Sequence, residues 1–166
     1  MKDKVLSLRR VTETDCQLLW EWANDPTVRA VSFSQQPIPW ETHVQWFRQK
    51  LHSSSCHWFT ACDRHNTPIG QVRFEMTESN TAEIHLALAQ AKRGFGYGTV
   101  LINLAVQTLF QTTAVQQIHA LIKPDNLASI HAFEQAQFQK IGMITVKGHL
   151  ALQYTCFKNR NISVQV

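Results

Sequence analysis

Three glycines stand at alternate positions in the segment RGFGYG, residues 93–98, directly before an apolar-periodic run. The 166-residue chain has only six glycines, so half of them fall in this short segment. Glycine lets a backbone adopt positive φ angles and approach a ligand closely. Because the first turn of a helix has unpaired N–H groups and a partial positive charge, the segment predicts a cradle for a phosphate or pyrophosphate. Lys92 and Arg93 add positive charge beside it.

Two common nucleotide-binding loops do not fit this segment. The phosphate-binding loop of NTPases ends in Gly-Lys followed by Ser or Thr, whereas this one ends in Gly98-Thr99-Val100. The dinucleotide fingerprint GxGxxG differs in spacing from the GxGxG found here, and it should follow the first strand of a parallel sheet. A structural turn whose glycines bind nothing remains the alternative.

A second pair of chemically useful residues lies on the strand predicted just before the loop. The two-residue period of a strand places Glu83 and His85 on one face and the apolar Ile84, Leu86 and Leu88 on the other. We expect the apolar face to join the core. A carboxylate beside an imidazole is suited to relaying a proton, although a solvated pair without catalytic role is the alternative.

The elements that must position these residues follow from apolar periodicity and turn residues. The sequence Asn24-Asp25-Pro26 is predicted to end the first helix, and residues 28–39 are predicted to form an irregular connector. The predicted order is β-αα-βββ-α-β-α-ββ, which is a mixed α/β fold around one mostly antiparallel sheet. Residues 1–166 are expected to form a single domain. The predicted strands are residues 5–11, 55–63, 69–76, 82–89, 115–122, 138–146 and 149–157.

Composition argues against several other classes of protein. The chain is 44% hydrophobic, yet no apolar run approaches the 18 or so residues of a membrane span, and its N-terminus lacks a secretory h-region, so a cytoplasmic location is expected. The net charge of +4 suits an anionic partner, but the basic residues are scattered, so we expect no nucleic-acid binding. The four cysteines form no CxxC and the eight histidines show no metal-ligand spacing, so no metal site is expected.

The segment RGFGYG resembles the acyl-CoA pyrophosphate loop of the GNAT superfamily of N-acetyltransferases, which is written Arg/Gln-x-x-Gly-x-Gly/Ala. Arg93, Gly96 and Gly98 fill its positions. The predicted element order is also the order of that superfamily. The segment NLASIHAFEQAQF, residues 126–138, is similar to the family's Asn-x-x-Ser-x-x-x-Tyr-Glu-x-x-Gly-Phe. The residues that match it are Asn126, Ser129, Glu134 and Phe138.

The resemblance implies acetyl-CoA as cofactor and transfer of its acetyl group to a primary amine. Backbone groups of Leu86 and Leu88 would pair with the pantetheine arm as if it were an added strand. Asn126 would reach the same arm and also cap a helix. The predicted cofactor-binding residues are Leu86, Leu88, Arg93, Gly94, Phe95, Gly96, Tyr97, Gly98, Thr99, Asn126, Ser129 and Phe133.

The implied reaction needs a base for the amine, and the resemblance favours Glu83, with His85 as the other candidate. Many relatives protonate the departing thiolate with a tyrosine, but Phe133 stands at that position here. Either another group supplies the proton, or the thiolate leaves unprotonated, which its ordinary pKa of about 8.5 permits. Tyr154 is the candidate substitute acid, with a packed strand tyrosine as the alternative.

The tryptophan-rich N-terminal third resembles a GNAT branch that acetylates nucleotide-linked 4-amino sugars of pseudaminic-acid-type pathways and shades into acetyltransferases of ribosomal-protein N-termini. The residues of this pattern are Trp22, Asn24, Asp25, Val28, Arg29, Ile38, His43, Trp46 and Phe47. For a UDP-linked amino sugar, Arg29 would meet the phosphates and Trp40 or Phe33 would stack on the base or sugar. The predicted substrate-binding residues are Asn24, Arg29, Phe33, Trp40 and His43.

Other readings stay open at this point. The acceptor could instead be a protein N-terminus, a peptide amine or another small amine. The absent tyrosine also leaves room for a non-catalytic acyl-CoA-binding module. The resemblance further implies a homodimer formed through the last strands.

Overall fold

Alternating apolar residues build seven strands that pair into one sheet in the computed structural model, which describes residues 4–159. The strand order is β1-β2-β3-β4-β5-β7-β6, and every neighbouring pair is antiparallel except β4 with β5. The predicted mixed, mostly antiparallel α/β fold is therefore confirmed. The strands are β1 Ser7–Arg10, β2 Cys56–Cys62, β3 Pro68–Glu78, β4 Thr81–Leu88, β5 Gln117–Ile122, β6 Gln139–Val146 and β7 His149–Phe157.

Within residues 4–159, five α-helices cover the sheet on its two faces. The helices are α1 Cys16–Ala23, α2 Pro26–Val31, α3 Trp40–Leu51, α4 Tyr97–Thr112 and α5 Leu127–Gln135. The main core joins α4 and α5 to one face through residues such as Leu101, Leu109 and Phe133. A smaller core of Val11, Leu19, Phe47 and Trp58 lies under α1 and α3 on the other face. None of the helices in the described part of the chain has the length and apolarity to cross a bilayer.

The helix α2 corrects the prediction of an irregular connector over residues 28–39. Pro26 begins this helix, where its missing N–H costs nothing, and the Asp25 side chain accepts hydrogen bonds from Thr27 N and Val28 N. The same Asn-Asp-Pro sequence that ends α1 therefore starts a second short helix. The irregular part of the connector is confined to residues 32–39.

The parallel pairing of β4 with β5 is short, and this shapes the centre of the sheet. It joins Thr81–Glu83 to Gln117–His119 and then stops, whereas β4 stays paired with β3 as far as Leu88. The edge of β4 that faces β5 therefore has no strand partner within residues 4–159 from Ile84 to Leu88, although the Leu88 carbonyl oxygen accepts hydrogen bonds from Arg93. An open strand edge offers backbone donors and acceptors to an extended ligand.

Candidate active site

Two of the three glycines of the segment 93–98 are required by the backbone conformation. Gly94 and Gly96 have φ angles of +76° and +79°, in the left-handed region that favours glycine, and Gly96 is the N-cap of α4. A Cβ on Gly98 would lie 3.4 Å from Ala132 Cβ and 3.9 Å from a Leu88 methyl, which are ordinary van der Waals contacts, so packing does not require a glycine at this position. The loop thus presents the N-terminus of the sixteen-residue α4, with its free N–H groups and partial positive charge.

The Arg93 side chain fastens the loop to two other elements. Its Nε and Nη2 donate to the carbonyl oxygen of Leu88 at 3.0 and 2.8 Å, and its Nη1 donates to Asp25 Oδ1 at 3.1 Å. Burial alone would raise the pKa of Asp25, but hydrogen bonds from Arg93 and from Val28 and Thr27 N–H hold that pKa below its usual value. Three of the five N–H donors of Arg93 are thereby used to hold the loop against β4 and α2.

Two lysines supply positive charge around the aromatic ring of the loop. Lys4 Nζ lies 6.0 Å and Lys92 Nζ 5.7 Å from the centroid of the Tyr97 ring. Lys92 also lies 3.5 Å from Asp63 Oδ2. Phe95 is 63% exposed and leaves the loop surface accessible. The sequence prediction included Lys92 as a cation beside the loop but missed Lys4, which is distant in sequence.

The downstream segment is ordered by its own motif residues. Asn126 is the N-cap of α5, and its Oδ1 accepts a hydrogen bond from Ser129 N at 3.2 Å. Phe133 is buried and meets Phe138 edge to face, with ring centroids 5.0 Å apart. Position 133 therefore contributes an apolar ring at this end of the main core.

Glu83 and His85 lie side by side on the face of β4 opposite the main core. The distance from Glu83 Oε1 to His85 Nε2 is 3.1 Å, and both side chains are partly exposed. Ala82 and Ile84 are buried in the main core, with Leu86 and Leu88 packed against it. The two-residue alternation predicted for this strand therefore holds in the structure.

Three residues that the sequence reading missed surround this pair. Arg73 and Glu75 of β3 stand opposite His85 and Glu83 in the strand register, and Lys50 Nζ of α3 donates to Glu75 Oε2 at 2.7 Å. Burial opposes ionisation of Glu75, but Lys50 and Arg73 outweigh it and keep its pKa low. The alternation of Arg73 and Glu75 with the apolar Val72 and Phe74 could have predicted that both charged residues lie on the same face of the sheet as Glu83 and His85.

Arg73 is held as a fixed cation between aromatic rings. Its guanidinium carbon lies 4.7 Å from the Trp46 ring centroid and 5.5 Å from that of Trp58. Its Nε lies 2.8 Å from Glu75 Oε1, but the N–H does not point at that oxygen. Burial lowers the pKa of Arg73, and the carboxylates of Glu75 and Glu83 oppose that shift. The Glu83–His85 pair therefore lies against a positively charged neighbour.

His119 is a further imidazole next to the pair. In the parallel pairing of β5 with β4, His119 stands opposite Glu83. In the antiparallel pairing of β5 with β7, it stands opposite Thr155. Its Nδ1 is buried and finds no hydrogen-bond partner within residues 4–159. A buried nitrogen without a hydrogen-bond partner is typical of a site that binds a ligand or an ordered water.

Tyr154, the candidate acid, lies on the core face of β7. It is 1% exposed, and its hydroxyl donates to Glu134 Oε1 of α5 at 2.9 Å. Burial and the Glu134 carboxylate both raise the pKa of Tyr154. A buried phenol whose proton is already held by a carboxylate is poorly suited to protonate a thiolate. The contacts of Tyr154 fit the alternative interpretation, in which it is a tyrosine packed in the core.

The predicted acceptor residues divide into buried and accessible ones. Asn24 holds both backbone groups of Ile38, donating to its oxygen at 3.0 Å and accepting from its nitrogen at 2.7 Å. His43 is 2% exposed and its Nε2 lies 2.9 Å from the Cys16 carbonyl oxygen, so Nε2 must carry the hydrogen. Asn24 and His43 therefore stabilise the connector and α1 through contacts within the described chain.

Trp40, Phe33 and Arg29 remain closer to the surface. Trp40 is 39% exposed and meets Trp20 edge to face at 5.4 Å between ring centroids. Phe33 is half-buried in the connector. Arg29 donates from Nη1 to Ser34 O at 2.8 Å and from Nη2 to Ser32 Oγ at 3.1 Å. Burial lowers the pKa of Arg29.

The sequence matches known proteins over most of its length. A family model described as an acetyltransferase (GNAT) domain matches residues 6–139. The aminoglycoside N(6')-acetyltransferase type 1 of Klebsiella pneumoniae is 28% identical over an alignment of 155 residues that covers 84% of this chain and 77% of the relative. The Methanocaldococcus jannaschii protein MJ1062 is 24% identical over 143 residues, 84% of this chain but only 29% of that longer relative.

Solved structures share the fold at low sequence identity. Aminoglycoside acetyltransferase AAC(6')-Ib in complex with coenzyme A superposes with a TM-score of 0.80 at 23% identity, covering 93% of this chain and 95% of that one. Spermidine N-acetyltransferase from Vibrio cholerae in complex with CoA and spermine gives a TM-score of 0.81 at 19% identity, covering 92% and 95%. At these identities the likeness shows the fold alone.

Proposed function

The chain belongs to the GNAT family of acetyl-CoA-dependent N-acetyltransferases, and we propose that its acceptor amine is carried by a nucleotide-linked amino sugar. The proposal for the acceptor rests on the contacts of Arg29. Its guanidinium is bound to neutral oxygens of the connector, close in sequence to the accessible aromatic ring of Trp40. A cation with an aromatic surface nearby suits a phosphorylated, ring-containing acceptor. The sequence pattern from Trp22 to Phe47 supports the same branch.

For the donor, we propose that the segment 93–98 and the first turn of α4 hold the pyrophosphate of acetyl-CoA. The edge of β4 at Ile84 and Leu86, which β5 does not pair, is suited to the pantetheine arm, whereas the Leu88 carbonyl oxygen is already bound by Arg93. Acetyl-CoA supplies the acyl group as a thioester. These residues bind and orient it, because backbone N–H groups at a helix N-terminus favour phosphate oxygens.

For the chemistry, Glu83 takes a proton from the incoming ammonium group so that the neutral amine can attack the carbonyl carbon. His85, 3.1 Å away, passes the proton onward. The C–S bond breaks as the new C–N bond forms, and the sulfur leaves as a thiolate. The nitrogen releases its second proton to solvent in the same stage, which leaves a neutral amide. Phe133 offers no proton, and none is required since a thiol has a pKa near about 8.5.

A second acceptor class follows from the relatives, whose names refer to aminoglycosides and spermidine. Both are polycations, which are bound by carboxylates that lack another partner. Near the proposed acceptor side, Asp25 is paired with Arg93, and Glu75 is paired with Lys50 and Arg73. These two carboxylates are therefore not available to a polycation, whereas Glu41, beside Trp40, is exposed and has no ion-pair partner within residues 4–159. Both acceptor classes therefore belong in the test.

The deciding experiment measures free thiol release from acetyl-CoA with separate acceptors. The panel contains UDP-linked 4-amino sugars, spermidine, kanamycin and basic peptides. We expect release with the UDP-linked amino sugars at the highest kcat/KM. Transfer to peptides or polycations alone would overturn the acceptor assignment, and tight CoA binding without any transfer would indicate the non-catalytic module.

We also propose that the protein forms a homodimer through β6. This strand ends the sheet order, and no strand within residues 4–159 pairs with its outer edge, which could therefore pair with a second copy. Its large apolar residues are exposed rather than buried. They are Ile141, Met143 and Ile144, together with Leu150 on β7.

A further inference from the structure

Lys123, which follows the last residue of β5, is a buried lysine with few partners. It is 8% exposed, and its Nζ donates to Ala30 O at 3.4 Å. The carboxylate paired with it is Asp125, at 3.9 Å, whose side chain is 66% exposed. An ammonium group has three donors, and a buried charge is costly unless it is closely paired. The protein therefore holds Lys123 with its charge incompletely matched.

Two more cations reach the same short stretch of chain, residues 30–34. Arg29 donates to the Ser34 carbonyl, and its Nε is buried without a partner within residues 4–159. Lys147, in the turn between β6 and β7, donates from Nζ to Ser34 Oγ at 3.1 Å. Arg29, Lys123 and Lys147 together form the cationic cluster.

The members of the cationic cluster come from three separate elements, yet their bonds within this stretch go to carbonyl and hydroxyl oxygens. Asp25, the carboxylate at the start of α2, is committed to Arg93. Neutral oxygens do not balance the positive charges that reach this stretch, and an anion would balance them. A phosphate fits because its several oxygens can accept from guanidinium and ammonium groups together.

We propose that the cationic cluster binds a phosphate group of the acceptor, which for a nucleotide-linked amino sugar is its diphosphate. This assignment rests on the proposed function and adds Lys123 and Lys147 to the residues that select the substrate. It also gives the β6–β7 turn a role, since that turn brings Lys147 to the connector.

The phosphates of the donor are the competing source of the anion. The cations around the glycine segment are different ones, Lys4 and Lys92, which flank Tyr97. The cationic cluster contacts the connector instead. The two sites should therefore bind independently, and a nucleoside diphosphate should bind while coenzyme A occupies the donor site.

The test is calorimetric titration of UDP into the protein saturated with coenzyme A. We expect Lys123→Met to weaken UDP binding about tenfold or more, the loss typical of one buried charge-assisted hydrogen bond. Lys147→Met, at an exposed position that does not threaten folding, should weaken it by about threefold. Lys140→Met, at an exposed lysine of β6, is the matched control and should change it by less than about twofold. Thermal melting checks that each variant is folded.

The outcomes separate this inference from the proposed function. If UDP-linked amino sugars are acetylated but neither lysine variant raises their KM or weakens UDP binding, the function stands and the cationic cluster is overturned. If those sugars are not acetylated but UDP or pyrophosphate binding still depends on Lys123 and Lys147, the cluster stands and the sugar assignment fails. A loss of coenzyme A affinity in Lys123→Met, with UDP binding unchanged, would assign the cluster to the donor and overturn the proposal.

Discussion

Glu83 is the residue on which the proposed chemistry depends most directly. Its carboxylate is partly exposed and lies 3.1 Å from His85 Nε2, so it can exchange protons with both the amine and solvent. Glu83→Gln keeps the shape but removes the base, and we expect kcat/KM to fall about 100-fold or more at neutral pH. The loss should shrink at alkaline pH, where the amine is already neutral.

The control for this substitution is Glu78→Gln, at the end of β3, which should retain full turnover. Coenzyme A affinity should be the same in both variants, because neither side chain belongs to the glycine loop. Unchanged turnover of Glu83→Gln at neutral pH would remove this residue from the mechanism. A larger loss in His85→Gln than in Glu83→Gln would assign the base to the imidazole.

His43 shows how burial of one residue sets a pH dependence of stability. Burial lowers its pKa below the ordinary value of about 6.5, against the opposing effect of the Cys16 carbonyl. The unfolded chain therefore binds a proton more readily, so the stabilising contribution is complete above pH 6.5 and is lost as the pH falls from there through the folded pKa.

Urea unfolding between pH 5 and 8 measures this effect, with His43→Gln as the comparison. The glutamine amide can replace the Nε2–H donor to Cys16 but cannot titrate, so the variant should show a shallower decline of the free energy of unfolding below pH 6.5. His57, whose pKa burial also lowers, contributes an equal background in both proteins. Identical pH profiles would show that His43 does not titrate in this range.

At the scale of elements, Asp25 joins α2 to the cofactor loop. The same carboxylate oxygen accepts from Thr27 and Val28 N–H and from Arg93 Nη1. Asp25→Asn keeps a good N-cap but removes the ion pair, so stability should fall by only about 0.5 kcal/mol. The loop should lose its anchor, however, and we expect the Kd for coenzyme A to rise several-fold.

Asp25→Ala serves as the matched variant, since it removes both the cap and the ion pair and should cost about 1 kcal/mol more. Coenzyme A binding by calorimetry and stability by urea unfolding separate the two roles. If Asp25→Asn binds coenzyme A as tightly as the unchanged protein, the Asp25–Arg93 contact has no bearing on the donor site.

The elements were predictable from sequence wherever local rules decide them. The two-residue alternation of apolar residues predicted β4 and the face on which Glu83 lies. The sequence Asn24-Asp25-Pro26 predicted the end of α1. The same residues concealed α2, because Asp25 and Pro26 serve equally as an N-cap and a first helical residue. Gln137, at the family's glycine position, adopts a φ of +66°, a local cost that only the surrounding fold can impose.

The site was less predictable because it depends on contacts between distant parts of the chain. Arg93 looked like a free cation, and only the fold shows that Leu88 and Asp25 use its donors. His43 and Asn24 matched a pattern in sequence, yet their contacts are with backbone groups brought close by folding. Patterns of residue type identify positions, but they do not reveal which polar groups are already paired.

At the scale of the whole molecule, the exposed apolar surface of β6 predicts the assembly state. A free sheet edge that carries Ile141, Met143 and Ile144 invites pairing with an identical strand, which would satisfy the edge backbone groups and bury these side chains. We expect a dimer by size-exclusion chromatography with light scattering, and we expect Ile141→Lys combined with Met143→Lys to produce a folded monomer.

The β6 surface is formed by residues other than those of the glycine loop and the Glu83–His85 pair, so the monomeric variant should retain acetyl transfer. Lys147 is the one link, since it follows β6 and contacts Ser34 of the connector. If dimerisation steadies that turn, the monomer should show a higher KM for the acceptor with an unchanged KM for acetyl-CoA. A protein that is monomeric before mutation would contradict the dimer, and the exposed apolar edge would then need another partner.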